Sequence, residues 1–427
     1  MVFGNNKISK PLSGMIPRST LITILFIVFL DVLGLTLIAP ILAPIFLDKS
    51  TTILASSVPY ATRTILLGLL LSAYPIAQFF GSPLLGALSD RYGRKRVLFI
   101  SLGGCLIGFV LFSYGLIFGS LELLFISRVI EGFTAGAISV ALSSMADLST
   151  PKTKTKNFGL VGAAYGLGFV VGPILGFVLS DNTILPWFTH ATPFLFGAVL
   201  TFINMIMMLM FFPETLKKRI DSPISLLTGC KNIIRAFSLK NLRTMFIVVF
   251  FITLGFTFFV HFLPLFLIEK FHYSERMSGL FFAYAGFWLI ISQGFVLRWV
   301  SKKFSSRKIL SFSIVCFSLS YALFVIPSQP YFLYWVMPII SLFIGLTLPT
   351  YNSLISDLSD DESQGEVMGI SQSMQALGTA IPPIIGGFVV AYHPNFPIVM
   401  SFAITFVAWL IFMIFYRPSR IERYHEL

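Results

Sequence analysis

Apolar runs of about 20 residues or more alternate along the chain with short polar turns. A helix needs about 20 apolar residues to cross the ~30 Å hydrocarbon layer of a bilayer. The runs therefore predict twelve membrane-spanning helices. They lie near 20–46, 64–88, 97–118, 121–147, 158–180, 193–213, 244–269, 278–300, 309–327, 331–356, 367–391 and 396–416. Transmembrane β-barrels are written in shorter segments of alternating polarity, and that pattern does not dominate here. The expected class is an all-α integral membrane protein. The first run is longer than a signal-peptide core and has no small-residue cleavage site after it, so it is expected to remain as the first span.

A second regularity runs through the spans. At an offset of 210 residues, Asp147-Leu148-Ser149 meets Asp357-Leu358-Ser359. Gly159 meets Gly369, Gly168 meets Gly378, Pro173 meets Pro383 and Gly176 meets Gly386 at the same offset. A constant offset through glycines and prolines indicates a duplicated six-span unit. The expected organisation is a six-helix bundle over 1–213, a basic linker over 214–243 and a second bundle over 244–427. Transporters built from such repeats bind substrate near the bilayer midplane, where the repeats meet. A membrane scaffold could share the architecture but leaves the charged residues inside the spans without a purpose.

Composition agrees with the pattern. Apolar residues make up 56% of the 427 and charged residues 11%, against about 25% charged in soluble domains. The net charge of +12 changes meaning once the bases are sorted by loop. Twenty-five of the 30 Lys and Arg fall on one side of the twelve spans. That bias places this side, with both termini, in the cytoplasm. The excess is a topological signal, and nucleic acid is not an expected partner. Cys105, Cys230 and Cys316 are far apart with no CxxC, so neither a disulfide framework nor a zinc site is expected.

The densest charge lies in GALSDRYGRKRVL, residues 86–98, where one acid and four bases fall within Asp90–Arg96. Gly86 permits close helix approach and Gly93 a tight turn. Asp90, at the end of span 2, can cap a helix start or pair with Arg91 or Arg94. Inside the spans stand Asp31, Arg128 and Glu131. Charges at that depth are costly and normally face a cavity or a partner. Arg128 and Glu131 are spaced to pair on one helix face; an ion pair that holds span 4 and a titrating pair both remain open. Asp31 is expected to exchange a proton, the alternative being a packing hydrogen bond. The polar residues Gln78, Asn204, His261, Gln293, Asn352, Gln372 and Gln375 are candidates for lining a substrate cavity, each with helix-to-helix bonding as the plainer role. Gly168, Gly172 and Gly176 form one smooth face on span 5, beside a bend at Pro173.

These residues carry a resemblance. The 86–98 turn is similar to the signature turn between helices 2 and 3 of the major facilitator superfamily. The likeness covers nearly the whole chain and is nearest to the twelve-helix drug/proton antiporter branch, which includes tetracycline efflux proteins. Span 1 carries DVLGLTLIAP from Asp31 to Pro40, and span 2 carries Tyr74, Gln78 and Pro83. Span 4 has Arg128, Gly132 and Gly136, and Asn157-Phe158-Gly159 opens span 5. Gly168-x-x-x-Gly172-Pro173-x-x-Gly176 resembles the antiporter motif, and Pro213-Glu214-Thr215 closes span 6. Phe177 stands where the motif has another glycine. The resemblance implies alternating access between two bundles, with Asp90 locking the cytoplasmic side through Arg94, Asp147 and the start of span 11. It also implies a role for Arg128 in proton movement. The corresponding turn in the second half keeps Gly294, Arg298, Arg307 and Lys308 but lacks the acid. Its lock is expected to be weaker or to use the acidic 357–366 loop, with Arg298, Lys302 or Lys303 as partners.

The expected function is a proton-coupled antiporter that exports small amphipathic molecules across a bacterial inner membrane. A proton-coupled importer or facilitator of a small metabolite, anionic if Arg128 binds it, is the alternative. The expected partners are a small-molecule substrate, protons and lipid, and the expected state is a monomer. No GxxxxGK[ST] loop, metal cluster or nucleophile–base set is present in the sequence, so neither an enzyme nor a bound cofactor is expected.

Overall fold

A computed structural model describes residues 17–38, 41–42, 45–46, 53–150, 153–216, 234, 237–238, 240–273, 275–359, 364–390 and 395–416. Most of the expected linker, Pro40, Cys230 and the acids Asp360, Asp361 and Glu362 lie outside these residues.

The fold is two bundles of six long helices. The first bundle holds α1 (Arg18–Thr36), α2 (Tyr60–Tyr92), α3 (Arg94–Phe118), α4 in two pieces (Leu121–Thr134 and Ala137–Asp147), α5 (Lys154–Ser180) and α6 (Thr192–Phe211). The second holds α7 (Lys240–Phe271), α8 (Glu275–Ile291, continued through a π segment, Ser292–Val296, into Leu297–Val300), α9 (Ser306–Val325), α10 (Leu333–Asp357), α11 (Gln364–Val390) and α12 (Phe396–Phe415). Among the described residues, eleven of these rods are long and apolar enough to cross a bilayer. The twelfth, α11, spans 27 residues and carries Gln364, Glu366, Gln372 and Gln375. Large apolar side chains such as Phe118, Trp187, Phe295 and Trp335 stand exposed on the outside. A hydrocarbon surround removes the cost that water would impose on them.

The first span ends earlier than its apolar run. Helix α1 stops at Thr36, followed by turn residues 37–38. The Thr36 hydroxyl donates to the carbonyl of Val32 at 2.8 Å and to that of Gly168 on α5 at 3.1 Å. In the first turn of α2, Arg63 is fully buried. Its guanidinium donates to the carbonyls of Phe46, Leu54, Ala55 and Val58, which closes the loop after α1 onto the start of α2.

The bundles meet along two seams. On one, α2 lies beside α11: the Ser72 hydroxyl donates to the Ala380 carbonyl at 3.3 Å, and Ser373 to that of Phe79 at 2.6 Å. Small residues allow the approach. A Cβ on Gly86 would meet the Gly365 carbonyl, and one on Gly68 would lie 2.9 Å from the Pro383 carbonyl oxygen. On the other seam, α5 lies beside α8, with Gly159 and Gly162 against Leu297 and Gln293.

Candidate functional site

Two sites hold the chemistry: a charged cluster at the basic end of the bundles and a small cavity between them with a few polar groups in a mainly apolar wall.

The cluster is built on the turn between α2 and α3. Gly93 supplies it, at φ +103°, a conformation a side chain would strain. Arg94 follows as the first residue of α3 and is fully buried. Its guanidinium reaches Asp90 at 2.5 Å, Ser89 Oγ at 2.5 Å and Asp147 at 3.1 Å. Asp90 in turn crosses to the other bundle. The N–H of Gly365 donates to its Oδ1 at 3.0 Å and that of Glu366 to its Oδ2 at 2.8 Å. Both donors lie in the first turn of α11, where N–H groups have no partner within the helix. A carboxylate at such an end also meets the positive pole of the helix. One side chain thus caps a helix that belongs to the opposite bundle.

The cluster extends further than the turn motif suggests. Glu214 accepts the N–H of Arg94 at 2.9 Å and so caps α3. The Thr215 hydroxyl donates to Asp147 at 3.3 Å. In the sequence, Pro213-Glu214-Thr215 marks only the end of span 6. The signal was an acid and a hydroxyl together, directly after an apolar run. Arg91 lies over the neighbouring Tyr92 ring, 5.2 Å from its centroid.

The second half closes differently. Asp357 pairs with Lys154 at the start of α5, at 2.9 Å. The expected pairing of the acidic loop with Arg298, Lys302 or Lys303 is therefore not what Asp357 makes. The reason is placement: the end of α10 lies against the start of the opposite bundle's α5. The Ser143 hydroxyl adds a further crossing bond, to the Gln364 carbonyl at 3.2 Å.

Two adjoining cavities of about 50 and 40 Å³ lie between the bundles and share Ile138, Tyr165, Thr253, Gln372 and Gln375 in their walls. Asp31, Tyr74 and Gln78 line the smaller; Tyr351 and Asn352 line the larger. The Tyr74 hydroxyl donates to Asp31 at 3.3 Å, and the Tyr351 hydroxyl to Gln375 at 3.0 Å. Tyr165, Tyr351 and Thr253 were not singled out from the sequence, where tyrosines and threonines in spans are too common to mark a wall.

Arg128 and Glu131 stand behind this wall. They pair directly, one turn apart on α4, and both are buried. The Arg128 guanidinium lies 4.5 Å from the Phe112 ring centre and 5.7 Å from that of Tyr74. Glu131 packs against α1: a Cβ on Gly34 would lie 2.8 Å from its Oε1. The glycine face of α5 serves the same helix. A Cβ on Gly168 would lie 2.8 Å from the Phe29 carbonyl, and one on Gly172 would meet the Thr36 hydroxyl. Gly176 is buried two turns after Gly168, and Pro173 lies within the helix between them.

The remaining polar candidates lie apart. Asn204 and Gln293 are fully buried, with neither amide atom bonded, and belong to neither described cavity wall. Gln293 sits in the π segment of α8, wedged against Gly162 and Gly166 of α5. His261 is exposed on α7, its ring 3.1 Å from the Thr257 carbonyl, and lines neither described cavity. Among the described residues, no group of three or more potential ligands could hold a metal.

Two six-helix bundles facing one another across a cavity that holds a few polar groups define a membrane transporter. The family model of the Major Facilitator Superfamily matches residues 24–381 and 245–426, and the chain belongs to that superfamily. It is 28% identical over 389 residues to the tetracycline resistance protein, class H, of Pasteurella multocida, spanning 88% of this chain and 90% of that one. It is 26% identical over 394 residues to the quinolone resistance protein NorA of Staphylococcus aureus, spanning 91% of this chain and 94% of that one. Among solved structures, the human organic anion transporter MFSD10 (TETRAN) matches with a TM-score of 0.80 at 21% identity, over 93% of this chain and 100% of that one. The proton:xylose symporter XylE matches with a TM-score of 0.77 at 15% identity, over 93% of this chain and 95% of that one. At such identities the structural matches carry the fold.

Proposed function

We propose that the chain is a proton-coupled antiporter that exports small amphipathic molecules by alternating access. The observation that carries this reading is the Asp31 carboxyl in the wall of a cavity shared by both bundles. A titrating group there can meet solvent from either face as the bundles rock, so protonation and substrate occupancy are read at one place. The Asp90 cap on α11 supports the second element, a lock between bundles made of a few charge-assisted bonds. Such a lock can be reversed by a free energy of a few kcal/mol. The basic end is read as cytoplasmic, with both termini there and the membrane a bacterial inner membrane; in this reading the described state is shut towards the cytoplasm. The relatives named for tetracycline and quinolone resistance favour export of a drug-like molecule. The twelve helices act as a monomer, with the domain boundaries at 213 and 244.

The test uses an efflux-deficient bacterium expressing the chain. Dye accumulation should fall, and an uncoupler should restore it. In reconstituted vesicles, Asp31→Asn should abolish transport driven by ΔpH. Full ΔpH-driven flux in Asp31→Asn together with Glu131→Gln would sink the coupling assignment. Proton-driven uptake of a metabolite would replace export with the importer reading.

A further inference from the structure

We propose that the basic turn between α8 and α9, in the second bundle, is a site for one anionic phospholipid. The phosphate lies at Lys302 and Lys303, and an acyl chain runs along Trp299 and Phe295.

The first observation is a charge imbalance. Residues 276–356 contain no Asp or Glu, and five of the six bases in that stretch are Arg298, Lys302, Lys303, Arg307 and Lys308. The matching turn of the first bundle uses its bases internally. Arg94 is buried against Asp90 and Asp147, and the Lys95 ammonium donates to the Leu209 carbonyl at 3.0 Å. The ion pairs among the described residues engage none of Arg298, Lys302 and Lys303. Lys302 and Lys303 are both exposed.

The second observation is where the charge stands. The Lys303 ammonium lies 4.3 Å from the centre of the Trp299 ring. Trp299 is 59% exposed, and Phe295, four residues earlier on α8, is 71% exposed. Residues four apart share one helix face, and neither ring lines a described cavity, so this face meets lipid. Along it the order is hydrocarbon ring, indole, ammonium. A phospholipid has the same order from acyl chain to phosphate, and tryptophan favours the headgroup level between them. The order recurs on α9, where exposed Lys308 stands one turn before exposed Phe312. Leu297 and Ile309 belong to one small buried core, which holds the two helix ends together.

These features select the occupant. A soluble phosphate meets the bases but leaves the rings unused. A zwitterionic lipid brings its own cation to a turn that has no acid to receive it. An anionic phospholipid answers both, and clusters of bases beside a span attract such lipids. In the first bundle the neutralising charge comes from the chain itself; in the second it comes from the bilayer.

The test is tryptophan quenching in the full chain, reconstituted in phosphatidylcholine vesicles with a minor share of brominated lipid. Brominated phosphatidylglycerol is compared with the same share of brominated phosphatidylcholine. Bromine quenches an indole on contact, and the part of the quenching that Trp299→Phe removes reports this site. Phosphatidylglycerol should be preferred there by about fivefold or more. Lys302→Gln with Lys303→Gln should erase the preference, and Arg96→Gln, at an exposed base of the other turn, should leave it unchanged. Equal quenching by the two lipids in the wild type overturns the proposal. So does a preference that survives in the double variant. An equal loss with Arg96→Gln also overturns it, because the attraction then belongs to the whole basic face. Loss of the preference on adding inorganic phosphate at matched ionic strength does the same, because the site then takes any anion. Should the double variant not reconstitute, the wild-type preference and the phosphate arm decide alone.

Discussion

The two halves close the basic end of the protein by different physics. In the first half, Arg94 is fully buried and gathers Asp90, Asp147 and Ser89, while Asp90 caps α11 across the seam. In the second half the turn has no acid, and the crossing ion pair among the described residues is Lys154–Asp357, whose carboxylate side chain is 46% exposed. Duplication supplied both halves with an Asp at the end of the fourth helix of the bundle, Asp147 and Asp357. One became part of a buried cluster within its own bundle; the other reaches across to its neighbour. A buried charge set is costly to break because each member is stranded without water. A half-exposed pair is solvated either way and contributes about 0–1 kcal/mol. The first lock should therefore set which state is populated, and the second should trim it.

The sharpest break of this contrast is Arg94→Ala. It strands two buried carboxylates, at a cost of about 3–5 kcal/mol to the closed state. Spin labels at Arg96 and Phe304, exposed positions on the two bundles at this end, should move apart in most molecules. An unchanged distance distribution would remove the cluster from its ruling role. Next in size is Gly86→Val, which places side-chain carbon against the Gly365 carbonyl. Overpacking of this kind costs about 1–3 kcal/mol, and the same labels should report a partly open population. Smaller again is Lys154→Asp. Its shift should stay within about 1 kcal/mol, and adding Asp357→Lys should restore the original distances. A swap that fails to restore them would mean that the pair is incidental. The smallest expected effect is that of salt. Raising ionic strength from about 0.05 to about 0.5 M screens exposed charges well and buried ones poorly. Wild-type label distances should therefore respond slightly, and those of Asp357→Asn not at all.

The helices were legible because a bilayer demands long apolar runs and little else can produce them. The end of α1 at Thr36 is not legible in the apolar run, which continues beyond it. The charged turn and Asp31 stood out for the same reason: polar groups are scarce in such a chain, so each is informative. Lys154 was hidden because it is one of three bases in a loop whose basic character already had a topological explanation. Tyr165 and Tyr351 were hidden among 14 tyrosines. Nothing in a helical repeat says which face turns inward when every face is apolar. Only the packing of α5 and α10 against each other's bundles brings those two rings into one wall.

Where Gly86 lies against Gly365, and Gly68 near Pro383, the contact is main chain on main chain. At these two points no bulky side chain stands between the helices, so little has to change rotamer for the surfaces to part. Such a wall behaves as a smooth bearing, able to separate and reseat many times without repacking. The tempo of the cycle is then governed at the rim, by how quickly the fastening around Arg94 lets go and is remade.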